Sequence, residues 1–373
     1  MNTHLAPTLD MCFGDYWVLW YATSNSYSII HSDYKQLLDA YFSSNTELEY
    51  ASQVLEVFSE QERTKLLEHI GLYLKNCNLP HTLPLKPTGT LDSTKRKIVK
   101  HYQIASKTIK ISFCSELVLK TIHPALTQYT IAPTHYDVNF DIYLKENTLF
   151  LYQNEKLITS VLKTDYHHIQ GKFMMRLLCT IHHKEEADWI GTLHGSTITD
   201  GHSSILFVGK SGSGKSTLSA LLATHGFQLL ADDVSPLLSE DQHIYYNPSA
   251  ISIKEGAFKV LRPLVKCFEN LDIVNFNKVK GQLKYLPCSQ PKATHHPCKA
   301  MVLVNYKADS ETQLEETSIK ELLETIIEDS WLSPNPIHAE QFLNWLKSIK
   351  LYRLTYSNTD SVNETVATLF KQL

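Results

Sequence analysis

A chain of 373 residues is long enough for two or three domains, each with its own core. Its 43% hydrophobic and 20% charged residues are those of a globular protein, and a net charge of −4 excludes the global basic field that DNA or RNA binding uses. The longest apolar run near the start, residues 16–22, is far too short to cross a bilayer, no secretory leader is visible, and seven scattered cysteines argue against a disulfide framework. These features point to a reducing cytoplasm, with neither nucleic acid nor membrane as a partner.

In chain order, β-prone runs at 16–21 and 27–30 flank Thr23-Ser24-Asn25-Ser26 and predict a hairpin. Ser32 or Asp33 caps a helix through Leu37, Leu38, Tyr41 and Phe42. Residues 47–58 set Leu48, Ala51, Val54, Leu55 and Phe58 on one helical face. Ser59 and Glu62 form a capping box for a helix burying Leu66, Leu67, Ile70 and Leu74. Residues 1–80 therefore read as a small α+β domain, and Pro80, Pro84, Pro87 and Gly89 mark a linker, bounded at 81–94.

Residues 95–373 read as a second domain, β-rich over 95–190 with a core over 191–373. Lys95-Arg96-Lys97 reads as a solvated linker end. Strands are predicted at 108–113, 136–142, 149–152 and 157–162, the last two turning at Asn154-Glu155, and a helix at 173–183. Further on, the pattern predicts strands at 301–306 and 351–355 and helices at 318–328, 338–348 and 362–370.

The sharpest signal is Gly209-Lys210-Ser211-Gly212-Ser213-Gly214-Lys215-Ser216, a complete G-x-x-x-x-G-K-S phosphate-binding loop followed by Thr217. Ser204–Val208 before it reads as a buried strand and 217–224 after it as a helix stopped by Gly226, the flanks such a loop requires. The glycines let backbone N–H groups approach phosphate, and the helix start adds its positive dipole end. Lys215 can reach the β and γ phosphates, and the Ser216 hydroxyl can join a Mg²⁺ shell. A strand at 227–231 then ends at Asp232-Asp233, and a right-handed βαβ crossover would bring both acids to the phosphate edge. Adjacent strand residues point to opposite faces, so the pair divides two tasks, metal binding and proton acceptance.

These residues resemble the catalytic domain of bacterial HPr kinase/phosphorylase and its wider group, which shares a fold with phosphoenolpyruvate carboxykinase. The resemblance runs continuously from Leu193-His194-Gly195 through the loop to Asp232-Asp233, from about Gly191 to Val234, and more loosely to the C-terminus. It implies an α/β P-loop kinase domain using ATP, or another nucleoside triphosphate, with Mg²⁺. It implies that His194 lies near the transferred phosphate, and that Asp232 and Asp233 supply the base for a serine hydroxyl and a metal partner. Ser216 and Asp233 are assigned to the metal, while the division of roles between the two acids stays open. Ser252 stands where the family has a metal-binding Glu, and Lys254 where it has an Arg. That departure puts the metal site and the reverse, phosphorylase-like reaction in doubt. Lys254 can still bind phosphate as a point charge. Lys299 stands where the family has a basic residue. Relatives assemble as hexamers or act alone, which leaves a homo-oligomer open.

A hairpin followed by small helices, as over 1–80, resembles PqqD-like peptide-recognition modules, which bind a leader peptide as an added strand. An accessory domain that merely packs on the kinase is the alternative. Cys288, His295, His296 and Cys298 carry metal-ligating groups, but they lack C-x-x-C spacing, and Pro287, Pro291 and Pro297 set them in a loop. The expected activity is γ-phosphate transfer from ATP to a hydroxyl, serine foremost, of a protein or ribosomally made peptide. A small-molecule acceptor on the same fold and a non-catalytic nucleotide-binding regulator are the alternatives.

Overall fold

The computed structural model describes residues 3–54, 58–80, 88–266, 268–277 and 281–373. Strands β1 (Leu9–Phe13), β2 (Tyr16–Tyr21) and β3 (Ser26–His31) form an antiparallel sheet in that order. The hairpin of β2 and β3 falls where the aromatic and β-branched runs place it. β1, with Asp10 and Cys12 between its apolar residues, is too short and mixed to stand out from sequence. Helices α1 (Ser32–Ser43), α2 (Glu47–Val54) and α3 (Glu60–Cys77) cover one face, burying Leu19, Tyr21, Leu38, Tyr50, Ile70 and Leu74.

Two local expectations need correcting, and a third holds. The cap of α1 is His31, not Ser32 or Asp33, because its Nδ1 accepts the Asp33 amide at 3.3 Å. Leu48 is 84% exposed, since α2 turns Tyr50 inward to meet the Tyr41 ring edge-on at 5.7 Å. The capping box of Ser59 and Glu62 does close at the start of α3. Residues 55–57 of the run expected to 58, and 81–87 of the linker, lie outside the described residues.

A second sheet holds β4 (Ile98–Ile104), β5 (Lys107–Phe113), β6 (Thr130–Ile131), β7 (Val138–Lys145), β8 (Thr148–Gln153) and β9 (Lys156–Leu162), ordered β6-β4-β5-β7-β8-β9. Short helices α4 (Glu116–Leu119) and α5 (His123–Leu126) link β5 to β6, and α6 (Tyr166–His182) buries Ile169, Phe173, Leu177 and Ile181 against the sheet. Asn154 and Glu155 both take left-handed φ, 47° and 67°, and make the two-residue turn between β8 and β9. Arg96 is not a solvated linker end. It grips the buried Asp141 through Nε at 2.6 Å and Nη2 at 2.9 Å, a bidentate pair that fixes the chain as it enters β4.

The remaining chain runs β10 (Trp189–His194), β11 (Ser196–Thr199), β12 (Ser204–Val208), α7 (Lys215–Thr224), β13 (Gln228–Ala231), β14 (Val234–Leu238), β15 (His243–Tyr245), β16 (Ile251–Lys254) and α8 (Phe258–Leu261). It continues through β17 (Val274–Asn277), β18 (Gly281–Leu286), β19 (His295–Tyr306), β20 (Gln313–Glu316), α9 (Ile319–Ile326), β21 (Trp331–Leu332), α10 (Pro336–Ser348), β22 (Lys350–Tyr356) and α11 (Thr359–Gln372). Ten of these strands form one sheet, along the path β13-β11-β12-β19-β15-β14-β10-β21, with β22 joined to β19 and β20 to β22. The pairs β12–β19 and β19–β22 are parallel.

All five residues of β12 are buried because helices cover both faces. Ile205 and Phe207 pack towards α7 and α11, with Leu218, Leu222, Val366 and Leu369. Leu206 and Val208 pack towards α9 and α10, with Leu323, Phe342 and Leu346. Val18 of β2 joins this second cluster, so the small N-terminal sheet has a covered face of its own against the large one. The three-stranded sheet β16-β18-β17 backs onto α7 through Ile251, Ile253 and Leu221. The chain is thus a mixed α/β protein with several sheets.

β12 and β13 are not neighbours: β11 lies between them, antiparallel to both. They remain parallel to each other, so the crossover through α7 still delivers the end of β13 to the edge where β12 ends. No helix among the described residues is long and apolar enough to cross a membrane. Cys12, Cys77, Cys114, Cys179, Cys288 and Cys298 are free thiols.

Candidate active site

The loop after β12 turns tightly enough to exclude side chains at its start. A Cβ on Gly209, at φ 155°, would lie 2.5 Å from Ser213 Oγ and 3.0 Å from the Val304 carbonyl. Gly214, at φ 98°, is the residue from which α7 springs. Lys215 opens the helix and folds back under the loop, where its Nζ donates to the carbonyls of Gly209 and Lys210. Burial lowers the Lys215 pKa, and the charges of Asp233, Asp232 and Asp329 oppose that shift. The Ser213 hydroxyl is buried with no hydrogen-bond partner.

From the other side of the crossover, Asp232 arrives at the end of β13 only 1% exposed. Its Oδ1 accepts from Ser196 Oγ and from Ser216 Oγ at 3.0 Å, and its Oδ2 accepts from the Ser252 amide at 3.1 Å. Burial pushes its pKa up to about 6, the Asp233 charge adds to that rise, and the bonds from Ser196, Ser252 and Ser216 pull against it. Its donors are neutral, so the charged carboxylate has no cation bonded to it in this arrangement.

Asp233 lies outside the strand at φ 67°, a left-handed backbone, with its side chain 66% exposed. Its Oδ1 is 3.5 Å from His194 Nδ1. His194 ends β10 opposite Val234, and its amide donates to Ser330 Oγ at 2.9 Å. The glycine that follows has a spatial reason: a Cβ on Gly195 would lie 2.6 Å from the Phe207 carbonyl. That close approach sets His194 on one side of Gly195 and Ser196 on the other, one for each acid.

Lys254, at the end of β16, donates from Nζ to Ser211 Oγ at 2.9 Å and so borders the loop from outside. Ser252, two residues earlier, meets Asp232 through its backbone amide. The structure therefore gathers Lys215, Ser216, Asp232, Asp233, His194 and Lys254 around one loop.

One expectation fails here. Lys299 is not part of the site. It lies beside Cys298, which pairs with the first residue of β12, about four residues and roughly 13 Å along the strand from the loop. The Ser216 hydroxyl reaches the buried Asp232, while Asp233 turns out to His194. Of the four cysteine and histidine positions considered for a metal, only His295 joins a cluster of ligating groups. Cys288 and Cys298 donate to the carbonyls of Leu286 and Ala300, and strand alternation sends His296 to the other face.

Four participants were not read from the sequence. Ser196 follows the His-Gly pair directly and could have been suspected from that adjacency. Asp329 acts electrostatically on Lys215, and Tyr285, opposite Ser252 on β18, feels both acids. Tyr306, half exposed, donates its amide to the Ser213 carbonyl at 3.2 Å. These three come from separate elements, and nothing in their local sequence marks them.

No family model matches the chain, and no curated protein matches it. Among solved structures, the Hpr(Ser) kinase/phosphatase from Coxiella burnetii is similar over 48% of this chain and 94% of that one, at 13% identity and a TM-score of 0.23. At that TM-score the likeness decides neither fold nor chemistry, and both rest on the geometry above.

Proposed function

We propose that the chain is a Mg²⁺-dependent P-loop kinase that moves the γ-phosphate of ATP to a hydroxyl, serine foremost, of a protein or peptide. The observation that carries this reading is the bond of Ser216 to Asp232 beneath the loop, with the Asp233–His194 pair one residue away at its rim. A regulator that only held nucleotide would need the first feature and not the second.

The residues present suit a divalent cation and a phosphate chain. A buried carboxylate with only neutral donors gains from a cation beside it. The unpartnered Ser213 hydroxyl and the loop amides offer donors to phosphate oxygens. In this reading Ser216 and Asp232 hold Mg²⁺, which would supply neutralisation of charge on the transferring phosphoryl group. Lys215 from below and Lys254 from outside add positive charge to the same group. Asp233 accepts the proton of the acceptor hydroxyl, and His194 orients that carboxylate. The exposure of Asp233 leaves the base open to an acceptor as bulky as a polypeptide. The small N-terminal sheet offers β1 and β3 as outer strands, the edges to which a peptide substrate would add.

Labelled ATP with candidate peptides and with small hydroxyl compounds, followed by mass spectrometry, tests the reading. Phosphoserine on a peptide supports it, and label on a small molecule alone replaces the acceptor. Intact nucleotide binding with no transfer to any acceptor overturns the kinase reading.

A further inference from the structure

At the end of β19 remote from the loop, three metal-ligating side chains converge. Asp241 lies in the turn between β14 and β15, His243 begins β15, and His295 begins β19. The antiparallel pairing sets Tyr245 opposite His295 and His243 opposite Pro297, so the two histidines stand diagonally on one face. Their Nδ1 atoms are 2.9 Å apart, and Asp241 Oδ2 is 3.5 Å from His243 Nδ1 and 3.3 Å from His295 Nδ1.

Hydrogen bonding between the three groups places a proton on at most two edges of this triangle. If both imidazoles donate to Oδ2, two N–H groups face each other across the third edge. If one donates to the other, one edge to the carboxylate is left without a proton. A cation satisfies all three edges together. A tetrahedral zinc with ligand bonds of ~2.0–2.1 Å sets its ligand atoms ~3.3 Å apart, and the three observed edges scatter about that length. An ion slightly out of the triangle's plane reaches each donor at that bond length. The side chains are between 26% and 40% exposed, which leaves a fourth position open to water.

The surroundings hold these ligands in place. The other carboxylate oxygen of Asp241 accepts the His243 amide at 3.0 Å, which fixes the turn. The Tyr245 hydroxyl donates to Oδ2 at 3.0 Å, and its buried ring stacks on His295 at 4.6 Å and 11°. Such outer partners orient metal ligands before the ion arrives.

We infer that Asp241, His243 and His295 form a binding site for a divalent transition metal, zinc foremost, separate from the Mg²⁺ site of the loop. His295 and Val304 are nine positions apart on β19, roughly 30 Å along the strand. The ion would fasten the β14–β15 turn to the start of β19, the strand that joins the two halves of the large sheet.

The test uses the full chain without any affinity tag. Zn²⁺ is titrated against a chromophoric chelator, and Co²⁺ binding is read in visible absorption. One equivalent per chain, with the intense bands of tetrahedral cobalt, is the expected result. His243→Ala and His295→Ala should each weaken Zn²⁺ binding by at least ~100-fold, and Tyr245→Phe by about tenfold. Asp241→Asn keeps an acceptor for the turn and should also lose the tetrahedral bands, which covers the case in which a histidine variant fails to fold. Lys215→Ala should leave binding unchanged. Absence of a stoichiometric site in the wild type, or unchanged affinity in the Asp241 and histidine variants, overturns the inference.

Discussion

The Ser216 hydroxyl lies 3.0 Å from Oδ1 and 3.3 Å from Oδ2 of Asp232, tying the first turn of α7 to the end of β13. If these two residues share a Mg²⁺, Ser216→Ala should raise the Mg²⁺ concentration for half-maximal transfer more than ~10-fold while leaving the fold intact. Lys215→Ala should abolish transfer outright. A magnesium titration of initial rates for the three proteins reads both outcomes, and an unchanged requirement in Ser216→Ala would remove the hydroxyl from the metal shell.

Asp233→Asn keeps the size of the side chain and removes its basicity. Transfer should fall by about 10²–10⁴-fold, with nucleotide affinity altered no more than about twofold. His194→Gln should give a smaller loss in the same direction if, as proposed, it orients the carboxylate and does not accept the proton. Near wild-type turnover in Asp233→Asn would exclude it as the base.

Asp232 gives opposite pH slopes for folding and for ligand binding. Its folded pKa, about 6, lies above the ordinary 3.8, so the folded state binds the proton more tightly. The stability this contributes is complete below about pH 4 and is lost as pH rises through about 6, by roughly 3 kcal/mol in all. Asp232→Asn should therefore gain on the wild type in thermal melts as pH rises from 5 to 8. If Asp232 holds the metal as proposed, the carboxylate must be charged, and Mg²⁺-nucleotide affinity should fall by about tenfold per unit below pH 6. Melts and titrations with parallel slopes would contradict this account of Asp232.

The two lysines singled out beyond the loop should separate. Lys254→Ala should weaken nucleotide binding, because its ammonium borders Ser211. Lys299→Ala should leave binding and transfer within about twofold of wild type, given its place roughly 13 Å along the strand from the loop. Equal losses in both variants would mean that the strand register assigned to β19 is wrong.

Gly195→Ala should destabilise the chain by about 1–3 kcal/mol, since the new methyl meets the Phe207 carbonyl at 2.6 Å and the Leu206 side chain at 2.8 Å. A lowered denaturant midpoint with an unchanged slope is the expected signature.

The loop, its strand and helix, and the acidic pair were legible because all lie within a short stretch whose local chemistry fixes their conformation. Asn154-Glu155 and the Ser59–Glu62 box were legible for the same reason. The partner of each acid was not. Ser196 and His194 reach them across strand pairings, and β11 enters between β12 and β13 through long-range register that no local pattern encodes. Lys299 was placed at the site by the resemblance alone, and the register of β19 against β12 sets it at the end of the strand remote from the loop. The Asp241–His243–His295 cluster was missed because His295 lies 52 residues beyond His243 in the chain and meets it only through the β15–β19 pairing.

If Asp233 is the proposed base, its left-handed backbone separates what keeps the chain folded from what lets it act. Glycine adopts that conformation without steric cost, and Asp233→Gly also removes a negative charge beside the buried Asp232. The exchange should leave the fold as stable as before or firmer by up to about 1 kcal/mol, while deleting the carboxylate that faces His194. A library screened for heat resistance alone would drift towards glycine at this position and lose turnover as it did so. The same library screened for phosphate transfer would hold aspartate there.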